Sequence, residues 1–412
     1  MVDFLGLHVN AATFWIVVAA GGVLVAGIIV LILYNLSPGR RWARLIARSR
    51  EVMRRDMDRM AEYLDGLSRS SPAVREPFQL GRAAMVACQW EQAIEHFREA
   101  MMQARGAEIV ALFNLTGVCR YTQGHLDKAL ADFEESARLA EQFRDVNGKP
   151  PALGNIGVIW HDMGELDKAL RYKEEALEEA HGLGDQWAEA LYLGNIGNIW
   201  RDKGDLDKAL NYHEQALDLS HSLGDKWGVA TDLARIGSIY RDKGGLDRAL
   251  KFKVEALEMA RKIGYRLGAI ENLSEIASIY HSEGRFDKAL LYGEKSLALA
   301  RQTGYRVGVA TELGNVGLLL KDRKEYERAV PKLAEALAML LAVGVADGPR
   351  QVLTGLIRCE NKLGRKRVEQ LSREAGLDDQ SIAGMFDRID QMHRMRPGLK
   401  PRWPYRNRPA SR

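Results

Sequence analysis

Five strings recur in register along the chain: GHLDKAL at 124–130, GELDKAL at 164–170, GDLDKAL at 204–210, GGLDRAL at 244–250 and GRFDKAL at 284–290. Their starts lie 40 residues apart with no insertion, and the same register accommodates six consecutive blocks over 111–350. A fixed period of this size marks a stacked array, in which each block buries its apolar face against the next. Such an array is a long surface with no closed chamber, which favours binding over catalysis.

Within the block 151–190, Leu153, Ile156, Gly157 and Trp160 fall at helical spacing before Gly164. Leu166, Ala169, Leu170, Tyr172, Ala176 and Leu177 do so after it. Spacings of three and four place each set on one face of a helix, so a block reads as two antiparallel helices. Glycine suits the stop of the first helix, where a left-handed residue is commonly required. Ala129, Ala169, Ala209, Ala249 and Ala289 are small where the helices must approach closely.

The pattern resembles the tetratricopeptide repeat, whose first helix carries Leu-Gly-x2-Tyr and whose second carries Ala and then an aromatic. Here the matching strings are Ile156-Gly157-x2-Trp160, Ile196-Gly197-x2-Trp200 and Ile236-Gly237-x2-Tyr240. The period is 40, and such 40-residue arrays look like those of LGN/Pins-type polarity adaptors and of bacterial signalling proteins. The second-helix aromatic keeps its place at Phe97 and Phe133 but moves one residue earlier at Tyr172, Tyr212, Phe252 and Tyr292. The resemblance implies an all-α, right-handed solenoid of about seven repeats over 77–348, followed by a degenerate repeat or capping helices at 349–380.

The resemblance also places the first helices along a concave peptide-binding groove. Asn155, Asn195 and Asn315 recur at one first-helix position, with Arg235 and Glu275 between them, and Asn198 lies one turn further on. An amide both donates and accepts, so a row of Asn suits an extended peptide backbone. A second row reads Tyr121, His161, Arg201, Arg241, His281 and Lys321, flanked by Thr122, Asp162, Asp202, Asp242, Ser282 and Asp322. Its arginines would meet acidic groups on a ligand, or the two rows would pair between neighbouring repeats. A chaperone-type carboxylate clamp would need bases where Gly154 and Thr231 stand, so that partner class is set aside.

Outside the array, no Asp, Glu, Lys or Arg occurs between Phe4 and Gly39, and 11–36 is long enough to span a bilayer as one helix. The start is acidic and the apolar run outlasts its small-residue cluster, so the segment reads as an uncleaved anchor. Arg40, Arg41, Arg44 and Arg48 follow at once, which places residues 1–10 outside and the repeats in the cytoplasm, as a single-pass membrane protein. Residues 37–76 carry Trp42, Leu45, Ile46, Met53, Met57, Met60 and Leu64 at near-helical spacing. That helix either lies on the membrane surface, held by Trp42 and the arginines, or is a solvated spacer or a partner for the first repeat. Gly22 and Ala26 would seat a partner helix in a homo-oligomer.

Charge is uneven. Residues 394–412 hold seven bases and no acid, 40–76 hold ten Arg against six acids, and the net charge of the whole is only +4. The repeat body is therefore mildly acidic, which argues against nucleic acid wrapped along it. The tail 381–412 reads as basic, Pro-rich and disordered, and is suited to anionic lipid, to single-stranded nucleic acid or simply to solubility. Cys88, Cys119 and Cys359 are scattered and read as small packed thiols. No phosphate loop, GxSxG, HExxH or paired Cys spacing occurs, so no cofactor, metal or enzyme activity is expected.

Overall fold

In a computed structural model, residues 2–4, 7–9, 71–304, 306–342 and 349–395 are described. The first ten residues include a short antiparallel ribbon, Val2–Phe4 paired with Leu7–Val9, a departure from the all-helical expectation. The remaining elements are seventeen helices: α1 (Pro72–Val86), α2 (Trp90–Met101), α3 (Ala107–Thr122), α4 (Leu126–Phe143), α5 (Lys149–Asp162), α6 (Leu166–Leu183), α7 (Gln186–Asp202), α8 (Leu206–Ser222), α9 (Lys226–Asp242), α10 (Leu246–Lys262), α11 (Arg266–Ser282), α12 (Phe286–Thr303), α13 (Arg306–Asp322), α14 (Tyr326–Ala342), α15 (Pro349–Leu363), α16 (Arg365–Glu374) and α17 (Asp379–Met395). Helices α1 to α14 pack as antiparallel pairs, each stacked on the next. The first helices of successive central pairs touch one another more than the second helices do, which puts them on the inside of the stack.

The pairs close because small residues stand where helices cross. Ala129, Ala169, Ala209, Ala249, Ala289 and Ala329 are all fully buried. Filling such sites typically costs about 1–3 kcal/mol. Between the two helices of a pair the chain turns through a left-handed residue, Gly164 at φ 83° for example. In the pair α13/α14, Lys324 keeps that conformation at φ 67°, at a cost of roughly 1–2 kcal/mol relative to a right-handed residue. At the entries of α7 and α9 the carboxylates of Asp185 and Asp225 accept the amide protons of Ala188 and Trp227, at 3.0 and 3.1 Å, capping groups that the helix leaves unpaired.

The core is unevenly distributed. One cluster runs from Ile270 to Ile389 and draws on α11 to α17, and a second joins Val74 to Cys119. Between them the buried apolar residues fall into several smaller clusters, one of them made of Leu153, Ala176, Ala180, Ala188 and Tyr192.

Two expected boundaries move. Helix α1 runs through Pro77, so the break expected between 76 and 77 falls inside a helix that begins with Pro72 in its first turn, where proline is well tolerated. The tail expected to be disordered from 381 is helical as far as Met395. Ile382, Met385, Phe386 and Ile389, spaced as one helical face, are buried on the C-terminal core. That apolar stripe outweighs the basic composition of the residues that follow it. Among the described residues no helix is long and apolar enough to cross a membrane. The expected span at 11–36, the helix at 37–70 with Arg40, Arg41, Trp42, Arg44 and Arg48, and the tail beyond 395 lie outside the described residues.

Candidate functional site

In most repeats a glycine of the first helix opens a slot against the second. A Cβ on Gly117 would lie 2.5 Å from Phe133, one on Gly157 3.0 Å from Lys173, one on Gly197 2.7 Å from His213 and one on Gly237 3.0 Å from Lys253. The slot holds an aromatic at Phe97 and Phe133, then three polar side chains in succession. Lys173, His213 and Lys253 are 4%, 1% and 3% exposed. Burying three titratable groups in consecutive repeats is costly unless each finds a partner.

Two of them do. His213 Nδ1 lies 3.1 Å from Asp232 Oδ1, and burial pushes the imidazole down and the carboxyl up, each toward its neutral form. Lys253 Nζ lies 2.6 Å from Glu275 Oε2 and donates to Ser238 Oγ at 2.7 Å. Arg241 Nη1 reaches the same carboxylate at 3.2 Å, and Ser238 Oγ lies 3.1 Å from it. Burial opposes the charge on Glu275, but Lys253 and Arg241 outweigh it and hold the carboxyl at about 2.

Lys173 is different. It has no hydrogen bond or ion pair within the described residues, its ammonium lying 5.7 Å from the Tyr192 ring centroid, and desolvation lowers its pKa to about 7. It lies beneath a cavity of about 200 Å³ between α5, α6, α7 and α9. Asn195, Asn198, Arg201, Arg235 and His161 line the same cavity. Asn195 and Asn198 carry no side-chain hydrogen bond to the described residues.

The other expected groove residues are engaged within the array. Asn155 donates to Asn114 Oδ1 at 2.7 Å and Asn315 to Ser274 Oγ at 3.2 Å. The two charged rows pair from repeat to repeat. Tyr121 reaches Asp162 at 2.6 Å, His161 reaches Asp202 at 2.8 Å, Arg201 reaches Asp242 at 2.8 Å and His281 reaches Asp322 at 3.1 Å. Ser282 interrupts this ladder, and Arg241 turns instead to Glu275 and Asp242. Lys321 is buried against Asp322 at 3.0 Å. These rows are thus joined from repeat to repeat, and such half-exposed pairs are each worth about 0–1 kcal/mol. At the cavity over Lys173, Asn195 and Asn198 stand outside this pairing.

A family model described as tetratricopeptide repeat matches residues 149–222, 188–262, 228–302 and 266–342. Residues 149–342 are tetratricopeptide repeats. No curated protein matches the chain. The repeats do resemble solved solenoids. The apo form of the quorum sensor NprR from B. thuringiensis superposes with a TM-score of 0.55 at 16% identity, over 86% of this chain and 98% of that one. A Rap protein complexed with Competence and Sporulation Factor gives 0.54 at 15% identity, over 88% and 98%. The apo form of RapI gives 0.50 at 11% identity, over 70% and 99%. At these identities the likeness is one of fold.

The groove reading of the sequence missed Lys173, His213 and Lys253, as well as Glu312. The signal was present: where the tetratricopeptide aromatic steps back to Tyr172, Tyr212 and Phe252, the next residue enters the slot. Glu312 lies in the first helix α13, 5% exposed, with Oε2 lacking any partner. Burial raises its pKa to about 7, against hydrogen bonds from Ser296, Ser274 and Asn315, and Glu271 adds like charge. A carboxyl with a raised folded-state pKa stabilises at low pH, and that contribution is lost as pH rises from the ordinary value through 7. Glu312→Gln should therefore gain about 2–3 kcal/mol over the native chain above pH 7 and nothing near pH 4.5, as read by urea unfolding at the two pH values. Among the described residues no group of His, Cys, Asp and Glu could hold a metal ion. Cys119 and Cys359 are buried thiols, pushed up to about 12 chiefly by desolvation.

Proposed function

We propose that this chain is a non-enzymatic binding protein that holds extended segments of partner proteins along its first-helix face. The observation that carries the reading is the set of uncommitted amides, Asn195 and Asn198, facing the cavity over Lys173 on the inner layer. The adjoining row at Tyr121, His161, Arg201 and His281 is paired from repeat to repeat, and these two amides stand outside that pairing. The resemblance to a Rap protein complexed with a factor supports a ligand-holding solenoid in general terms.

The uncharged stretch at 11–36 followed by arginines supports placement at a membrane with the repeats on the cytoplasmic side. On this reading the protein recruits partners to a membrane complex. A second reading, in which the solenoid senses a ligand and signals through the anchor or by oligomerisation, is favoured by the resemblance to a quorum sensor.

The test is crosslinking and capture from the native host with the full-length chain, beside an Asn195→Ala, Asn198→Ala, Arg235→Ala variant. A partner present with the native chain and absent with the variant is expected, whereas identical partner sets would overturn the groove reading. Exchange of 11–36 for an unrelated anchor then separates the two roles. A recruiter keeps its activity and a sensor loses it.

A further inference from the structure

We propose that the cavity over Lys173 is a subsite for the side-chain carboxylate of an Asp or Glu in the bound peptide. The proposal deepens the peptide-binding reading and rests on it. Two repeats further on, Lys253 occupies the same slot as Lys173, and the surrounding positions correspond: Ser238 with Val158, Arg241 with His161, Glu275 with Asn195. In the later repeat a carboxylate from the next first helix sits on the buried ammonium at 2.6 Å, with an arginine at 3.2 Å. In the repeat between, Asp232 supplies the carboxylate to His213. At Lys173 the positions corresponding to Asp232 and Glu275 are Tyr192 and Asn195, neither of which bears a charge. The array thus contains its own demonstration of what this slot accepts, and one copy in which the acceptor must come from elsewhere.

Size and charge agree. At about 200 Å³ the cavity is below the roughly 300–1,000 Å³ that takes a whole small molecule, so the room is for one side chain. Lys173, Arg235, Arg201 and His161 line it with one carboxylate, Asp202; His161 holds Asp202 at 2.8 Å and Arg201 reaches Asp242 at 2.8 Å, while no carboxylate of the described residues pairs with Lys173. Asn195 and Asn198 supply amide donors for the second carboxylate oxygen. A side chain is favoured over a terminus because the corresponding group, Glu275, reaches the slot from a passing backbone. A carboxylate seated there would restore the charge on an ammonium that desolvation weakens, so binding would take up a proton and weaken as pH rises above 7.

The test is selection of a random heptapeptide pool, in free-terminus and amidated forms, on the full-length chain beside Asn195→Glu and Lys173→Met. Asn195→Glu copies Glu275 and should fill the slot internally. Lys173→Met removes the cation while relieving a buried charge, so both variants should fold at least as well as the native chain, which thermal unfolding checks. The expected result is enrichment of Asp or Glu about tenfold or more at one register by the native chain, from both pools, and its loss in both variants. Enrichment without acidic preference, or with the same preference in the variants, overturns the subsite and leaves the groove reading standing. Acidic preference confined to the free-terminus pool overturns the side-chain assignment in favour of a terminal carboxylate. No enrichment by the native chain overturns the groove reading and the subsite together.

Discussion

Glu275→Ala is expected to destabilise the centre of the array by about 3 kcal/mol. Lys253 is 3% exposed and its ammonium is held by Glu275 and Ser238. Removing the carboxylate leaves a buried cation with one hydroxyl for company, and Arg241 close by with the same sign. Stranding one member of a buried pair typically costs 3–5 kcal/mol, and the lower end applies because the Glu275 side chain is 33% exposed and admits water. A solenoid need not unfold as one unit, so the measurement should be local. Amide exchange in α9 to α12 should accelerate by about a hundredfold, since each factor of ten corresponds to about 1.4 kcal/mol. Adding Lys253→Met to Glu275→Ala should recover most of the loss. If the double variant exchanges as fast as the single one, the ion pair is not the source.

The opposite sign is expected at Lys173. Its folded-state pKa lies at about 7, below the ordinary lysine value of 10.5. Between those values the unfolded chain binds the extra proton, so native stability rises with pH across that window. Below pH 7 the buried charge costs its full amount. Lys173→Met fills the slot with a chain of similar length and no charge, and should be more stable by about 3–5 kcal/mol at pH 6. That advantage should shrink by about 1.4 kcal/mol per pH unit above 7 and vanish near 10.5. The groups facing the ammonium are the Tyr192 ring and, across the cavity, His161, Arg201, Asp202 and Arg235. These groups are common to the native chain and the variant, so the change in advantage above pH 7.5 belongs to Lys173. Paired urea unfolding at pH 6, 7.5 and 9 checks it. An advantage that does not change with pH would mean that Lys173 keeps its ordinary pKa, and so its charge, in the fold.

The array was legible in the sequence because its determinants are local and repeated: a turn glycine, a small residue at each crossing, apolar residues at helical spacing. The two misplaced boundaries have local causes too. Pro77 read as a break and is an interior residue of α1. The stripe Ile382, Met385, Phe386, Ile389 was overshadowed by the arginines beyond it. The candidate site was less legible, because the rows at Arg201, Arg241 and Lys321 look alike in sequence whether they face a ligand or each other. The pairing appears only in the distances to Asp242, Glu275 and Asp322. Lys173 was hidden for a different reason. A lysine among lysines on an amphipathic helix reads as solvated, and its burial follows from the one-residue displacement of Tyr172.

The uneven core implies an uneven resistance to opening along the chain. From Ile270 onward the helices share one large apolar cluster. Over the repeats that contain Lys173 and His213 the buried apolar residues form several smaller clusters, separated by polar slots. In a linear stack each unit is held only by its neighbours, so fluctuations need not involve the whole molecule. The C-terminal third then acts as a firm abutment, while the middle breathes on its own. A molecule lodged at the Lys173 cavity would clamp the most yielding stretch, and would be felt as a stiffening of the coil as a whole.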